Sequence, residues 1–128
     1  MRILLDTQIF LWYIIGDRQI PAPVLQAVRD PSNEVFLSVV AIWGAVIKYQ
    51  LGNLPLPQPP ELYLPEQRRL HRIVSLNVDE ASVVQLGQLP ALHRDPFDRL
   101  MICQAIEHSL LFATVDKAIH SYPVMLLS

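Results

Sequence analysis

Polar and apolar positions along the chain alternate between two kinds of pattern, which predict strands and helices in turn. Short runs rich in β-forming residues, such as RILL at 2–5 and EVFLS at 34–38, are typical of strands. Longer apolar segments, such as TQIFLWYII at 7–15 and FDRLMICQAIEHS at 97–109, have helical length. This alternation is typical of a parallel sheet with helices on both faces.

The complete series predicts one α/β domain over residues 1–128. Strands are predicted at 2–5, 34–38, 73–76, 110–114 and 123–127. Helices are predicted at 7–15, 21–30, 39–51, 61–72, 79–89, 97–109 and 116–122. The proline-rich segment at 53–60 is predicted to be an ordered or extended loop, too short to divide two domains. We therefore expect a short parallel sheet of about five strands flanked by helices.

Composition narrows the class of protein. The 128 residues are 52% hydrophobic and 17% charged, which fits a compact domain with one core. A net charge of −2 gives no overall attraction for nucleic acid, so any such binding depends on a local basic rim. No apolar run reaches the roughly 20 residues that span a bilayer. The single cysteine excludes an internal disulfide and favours a reducing compartment, so we expect a cytoplasmic protein.

Aspartates stand where a parallel sheet gathers its ligands. Asp6 follows the first strand, Asp116 follows the strand at 110–114, and Asp95 and Asp98 begin the helix before that strand. Ligands of open α/β sheets bind at the carboxyl ends of the strands, so these four side chains are expected at one edge. Each aspartate could instead serve a helix N-terminus, as a cap or as a first-turn acid.

The four carboxylates together also predict a cation. Unpaired carboxylates that share one edge repel each other and raise their pKa values unless a positive ion neutralises them. Oxygen ligands without a cluster of histidine or cysteine favour Mg²⁺ or Mn²⁺ over zinc. Such ions serve phosphoryl-transfer chemistry.

Four segments resemble the PIN-domain family, specifically the VapC-type toxins of bacterial toxin–antitoxin pairs: MRILLDTQIFLW, SVVAIWGAVIKYQLGNLPLP, HRDPFDRLMICQA and LFATVDKAI. The resemblance covers essentially the whole chain. It implies a PIN-like three-layer fold, Mg²⁺- or Mn²⁺-dependent ribonuclease activity on RNA, a homodimer and a cognate antitoxin partner. The site residues that it implies are the catalytic, metal-binding acids Asp6, Asp98 and Asp116, the accessory metal ligand Asp95, and the bordering hydroxyls of Thr7 and Thr114.

The chain departs from this family at Gly44, where the resemblance implies a glutamate directly after Trp43. Glycine inside a helix costs about 1 kcal/mol relative to alanine, so helix propensity does not explain it. No Asp or Glu occurs between Glu34 and Glu61 that could replace the missing ligand. We therefore expect the fold to persist while hydrolysis of RNA is weak or absent. Gln8, where the family commonly has histidine, is a smaller departure.

Two other functions compete with an impaired ribonuclease. A catalytically inactive PIN domain would bind RNA or an antitoxin without cleaving anything. A phosphotransferase-like domain would use Asp6 as nucleophile, but the motif DTQ lacks a second acid two residues later.

Basic residues near the acids are candidate contacts for RNA phosphates. They are Arg94, Arg99, Lys117 and Lys48. An ordinary solvated surface explains the same residues equally well, because basic side chains are mostly exposed in folded proteins.

Overall fold

The computed structural model describes residues 1–92 and 95–128. Within these residues, five strands form one parallel sheet in the order β3-β2-β1-β4-β5. The strands are β1 (Arg2–Leu5), β2 (Glu34–Ser38), β3 (Val74–Leu76), β4 (Leu111–Ala113) and β5 (Leu126–Leu127). Leu4 of the central strand is level with Phe36 on one side and Phe112 on the other. The predicted α/β fold with a five-stranded parallel sheet is confirmed.

The connections between strands are largely helical. The helices are α1 (Thr7–Ile15), α2 (Ala22–Arg29), α3 (Val39–Gln50), α4 (Pro60–Leu70), α5 (Glu80–Gln85) and α6 (Pro96–Glu107). A short 3₁₀ helix (Lys117–Ser121) precedes the last strand. Across residues 1–92 and 95–128, no helix has both the length and the apolar character that crossing a membrane requires.

Two predicted elements are shortened more than the others in the structure. The helix predicted at 79–89 ends at Gln85, and single turns follow it, because Gly87 disfavours helix continuation. The strand predicted at 123–127 begins only at Leu126, since Pro123 has no N–H group to donate to a neighbouring strand. Only the ends of these elements differ from the prediction, and the order of strands and helices is unaffected.

The core surrounds the central strand. Ile3, Leu4 and Leu5 are fully buried, and α1 packs Ile9 and Phe10 into the same cluster. Strands of a parallel sheet are covered on both faces, which is why β1 is a continuous apolar run after Arg2. The first polar residue after this run, Asp6, is therefore held at the point where the core ends.

A buried polar network joins two of the helices. The Ser38 hydroxyl caps α3 by accepting from the Val40 N–H at 3.0 Å and donates to Gln104 Oε1 of α6 at 2.5 Å. The Gln104 amide donates to the Asn77 carbonyl after β3 at 3.2 Å. Ser38 and Gln104 are both fully buried, so these bonds fix α3 relative to α6.

Candidate active site

A cavity of about 370 Å³ opens at the carboxyl edge of the sheet and brings the predicted acids together. Its polar lining consists of Asp6, Thr7, Gln8, Lys48, Asn53, Asp95, Asp98 and Asp116. Gly44 forms part of its wall. The lining therefore comes from chain segments that are far apart in sequence and meet only because β1, β2 and β4 end at the same edge.

Asp6 is the buried acid of this cavity. Only 7% of the residue is exposed, and its backbone N–H donates to the Ala113 carbonyl at 2.9 Å. Its carboxylate accepts a hydrogen bond from the Thr114 hydroxyl at 2.7 Å. Asp6 precedes α1 but its side chain makes no capping bond to that helix. The Thr114 hydroxyl beyond the neighbouring strand is therefore its side-chain partner, and a capping bond to α1 does not account for its position.

The protonation of Asp6 reflects this position. Burial raises the pKa of Asp6 above its ordinary value of 3.8, and the negative charge of Asp116 acts in the same direction. The hydrogen bonds from the Thr114 hydroxyl and the Thr7 backbone, together with the charge of Lys48, oppose that rise in pKa without cancelling it. The cavity thus holds a carboxylate that a bound cation would stabilise.

Capping is confirmed for the two other aspartates at helix starts. Asp95 accepts from the N–H groups of Phe97 at 2.9 Å and Asp98 at 3.4 Å at the start of α6. Asp116 accepts from the Ala118 N–H at 3.0 Å at the start of the 3₁₀ helix. Both carboxylates also line the cavity, so capping and a place in the site are compatible.

Gly44 has no structural requirement to be glycine. It is buried in the interior of α3, and its backbone φ is not in the left-handed region. A Cβ atom added there would lie 3.5 Å from the Phe97 ring, an ordinary van der Waals contact. A side chain at this position would begin in the wall of the acid cavity.

The donors fit a hard cation in chemistry but do not form a complete preorganised cage. Among residues 1–92 and 95–128, no three His, Cys, Asp or Glu side chains are placed together to hold a metal ion. Mg²⁺ is commonly held through one or two carboxylates and keeps several waters, so three converging ligands are not required. The carboxylate oxygens among the described lining residues and the buried acid of raised pKa therefore fit an ion of that kind.

The structure separates the other candidate residues. Thr7 and Lys48 line the cavity, and Thr114 lies beneath it as the partner of Asp6. Arg99 and Lys117 do not line it. The Arg99 Nε atom is buried and has no hydrogen-bond partner within the described part of the chain. The fourth basic candidate, Arg94, lies outside the described residues.

Sequence reasoning missed several cavity residues. Phe97 and Met101 are on α6 and face the cavity together with Asp98. Met101 was predictable from the sequence, because it lies three residues after Asp98 and residues three apart on a helix share a face. Asn53 enters from the loop after α3, where no periodicity gives its direction.

Comparison with known proteins assigns the family. The model of the PIN domain family matches residues 3–124, and the chain therefore belongs to that family. Within the family it is similar to VapC toxins. The Ribonuclease VapC16 of Mycobacterium tuberculosis is 39% identical over 54 residues. That match spans 42% of this chain and only 38% of the length of the relative.

Solved structures support the same fold over the full length. The chain is similar to a structure of VapBC2 from Rickettsia felis bound to a promoter DNA fragment, with a TM-score of 0.72 and 16% identity over 99% of this chain and 98% of that one. It is also similar to VapBC-1 from nontypeable Haemophilus influenzae, with a TM-score of 0.66 and 19% identity over 100% and 98% of the two chains. The resemblance seen in the sequence motifs is confirmed.

Proposed function

We propose that residues 1–128 form one PIN domain that acts as a VapC-like toxin, an endoribonuclease dependent on Mg²⁺ or Mn²⁺ and impaired at Gly44. One observation carries this proposal: four aspartates line a single cavity at the carboxyl edge of the sheet, and a glycine stands in its wall. The name of the mycobacterial relative, a ribonuclease, indicates the same substrate class.

The chemistry follows from the lining. Asp6, Asp98 and Asp116 would hold the cation, some of them through its bound waters, with Asp95 as a further oxygen donor at the helix start. A bound divalent cation positions the scissile phosphate and lowers the pKa of an attacking water. Thr114 keeps the Asp6 carboxylate in one orientation by its hydrogen bond, and Lys48 contributes positive charge beside the phosphate.

Gly44 weakens this site because it supplies neither an oxygen ligand nor a negative charge. A carboxylate at position 44 would enter the cavity from α3, beside Phe97 of α6. Without it the cation has ligands on fewer sides, and an attacking water has one acceptor fewer to orient it. We therefore propose weak or absent hydrolysis in a fold that remains intact.

The decisive experiment compares Gly44→Glu with the native chain and with Gly44→Ala. Each protein is incubated with single-stranded RNA and Mn²⁺ or Mg²⁺, and cleavage rates are measured. We expect Gly44→Glu to cleave at least a hundredfold faster than either of the others, because only this change adds a carboxylate. Gly44→Ala is the matched control, since it adds the Cβ and helix propensity alone. Equal rates in all three proteins would contradict the impaired-site proposal.

Gly44 also favours one alternative, a catalytically inactive PIN domain that binds RNA or an antitoxin. This alternative predicts that Gly44→Glu gains no cleavage although the native chain binds RNA. Measurement of RNA binding and cleavage on the same protein samples separates it from the impaired enzyme.

We also propose that this chain binds an antitoxin in the cytoplasm. We propose a homodimer as its assembly. An apolar groove of about 250 Å³ runs beside α1 and shares Gln8, Leu11 and Leu54 with the acid cavity. The solved relatives described above are VapBC structures. A partner segment in this groove would reach the acids. Inhibition of Gly44→Glu by a purified antitoxin tests the pairing, and sedimentation tests the dimer.

A further inference from the structure

Trp43 forms an aromatic surface immediately outside the acid cavity. It precedes Gly44 on α3, and 56% of the residue is exposed. Its ring meets Phe97 edge-to-face, with ring centroids 4.7 Å apart and an interplanar angle of 88°. Phe97 lines the cavity, whereas Trp43 does not. The chain therefore presents a large flat side chain one aromatic ring away from the candidate reacting centre.

The exposure of Trp43 is unusual for so large an apolar side chain. Its indole ring is nevertheless restrained. Tryptophan is highly buried on average in folded proteins. The perpendicular contact with Phe97 is a favourable aromatic geometry that restrains the indole ring. A restrained aromatic ring with solvent-accessible surface loses little conformational freedom when another flat group stacks on it.

The charged residues of the cavity lining bear on which flat group stacks on Trp43. Among the described lining residues, four are aspartates and one is a lysine, so the lining is acidic overall. Carboxylates themselves give an RNA phosphate no electrostatic affinity, so a contact outside the cavity would add affinity to that of the phosphate held by the proposed cation. Stacking of a base on an aromatic ring supplies affinity without requiring a positive protein surface.

We propose that Trp43 is a stacking platform for a nucleobase of single-stranded RNA, next to the nucleotide whose phosphate enters the acid cavity. The inference rests on the proposed ribonuclease function. It assigns Trp43 a role in substrate affinity, while the acids carry the chemistry. A second copy of the chain packed on this face of α3 is the competing occupant, and the experiment must separate the two.

Binding is measured by fluorescence anisotropy of a labelled single-stranded oligoribonucleotide, with a chelator present so that no metal-dependent cleavage occurs. We expect Trp43→Ala to weaken binding about tenfold and Trp43→Phe to stay within about threefold of the native chain. A fully abasic strand of equal length should bind the native chain as weakly as the normal strand binds Trp43→Ala. Leu62→Ala removes an equally exposed apolar side chain on α4, outside the cavity lining, and should bind like the native chain.

A second readout leaves Trp43 in place. The chain has two tryptophans, so Trp43 is the sole source of tryptophan fluorescence in Trp12→Phe. We expect its fluorescence to be quenched by the normal RNA strand and unaffected by the abasic strand.

Three results would overturn the stacking proposal, and they differ in what they imply for the proposed ribonuclease function. Equal affinities of Trp43→Ala and the native chain, without quenching, exclude stacking and leave the ribonuclease proposal standing. A native dimer that becomes a monomer in Trp43→Ala, seen by sedimentation, assigns Trp43 to a subunit interface instead. No RNA binding by the native chain in the presence of the chelator overturns the stacking proposal, whereas the metal-dependent cleavage assay with Gly44→Glu decides the proposed function separately.

Discussion

At the scale of single residues, Asp6 and Gly44 show that the surroundings of a residue decide its role. Asp6 follows an apolar strand, as a helix cap would, but its partner is the Thr114 hydroxyl and its carboxylate is buried. Gly44 stands inside a helix with no positive φ and no steric conflict that would require glycine. Burial of the Asp6 carboxylate disfavours its charged form, whereas Gly44 places no charged group in the cavity wall.

Asp6→Asn should stabilise the protein at neutral pH. Because the pKa of Asp6 is raised in the folded state, the folded chain binds more protons than the unfolded chain between the two pKa values, and stability falls as pH rises through that window. Asparagine can still accept the Thr114 hydrogen bond but carries no charge. Thermal unfolding from pH 3 to pH 8 should show the largest gain above the raised pKa and the smallest below pH 3.8.

Asp30→Asn is the control of opposite sign. Hydrogen bonds from the Ser32 backbone and side chain lower the pKa of Asp30, so its charged form favours the folded state. This variant should lose stability at neutral pH, and the difference should disappear in acid. A gain for both variants, or for neither, would contradict the electrostatic account of Asp6.

Gly44→Ala should raise the free energy of unfolding by about 1 kcal/mol, which is the helix-propensity difference between the two residues. The added Cβ meets only an ordinary contact with Phe97, so no strain offsets the gain. Denaturant unfolding measures the change. A loss of stability would mean that Phe97 cannot accommodate the methyl group.

At the scale of elements, α6 carries much of the site because its start and its middle are both fixed. Asp95 caps the helix through two backbone N–H groups, and Gln104 joins the helix to Ser38 and to Asn77. Asp98 lies between these two anchors, so its position relative to α3 is set by the element as a whole. Phe97 adds a packing contact to Gly44 on the same side.

Gln104→Leu should destabilise the protein by about 1–3 kcal/mol, because it leaves the Ser38 hydroxyl and the Asn77 carbonyl without their present partner. Gln85→Leu is the control, since the Gln85 amide makes only a long 3.5 Å bond at the surface. Denaturant unfolding of both variants measures the difference. Similar small losses would show that the network does not fix the two helices.

At the scale of the whole molecule, the parallel sheet assembles the cavity. The central strand places Asp6 between the ends of β2 and β4, and the segments after those strands supply the rest of the lining. The repulsion of Asp6 by Asp116 is tolerated because the core and the hydrogen-bonded sheet hold their backbones. Cation binding would therefore stabilise the whole fold by relieving that repulsion.

Mn²⁺ should raise the melting temperature of the native chain. A ligand that binds only the folded state at a hundred times its Kd adds about 2.7 kcal/mol to the free energy of unfolding. Asp6→Asn should show a much smaller shift, and Gly44→Glu a larger one, because they remove and add a carboxylate. Lys117→Ala should keep the native shift, since Lys117 does not line the cavity. Equal shifts in all four proteins would place the ion elsewhere.

The sequence by itself determined the order of strands and helices, since buried strands and amphipathic helices leave local periodicities that a reader can recognise. It also predicted which edge of the sheet gathers the four aspartates, whereas a glutamate at position 44 was implied by the family resemblance alone. Only the tertiary structure decided that Asp6 is bonded to Thr114, that Arg99 and Lys117 lie outside the cavity, and that Trp43 is exposed beside Phe97. These are contacts between residues distant in sequence, and no local pattern specifies how two packed elements orient their side chains.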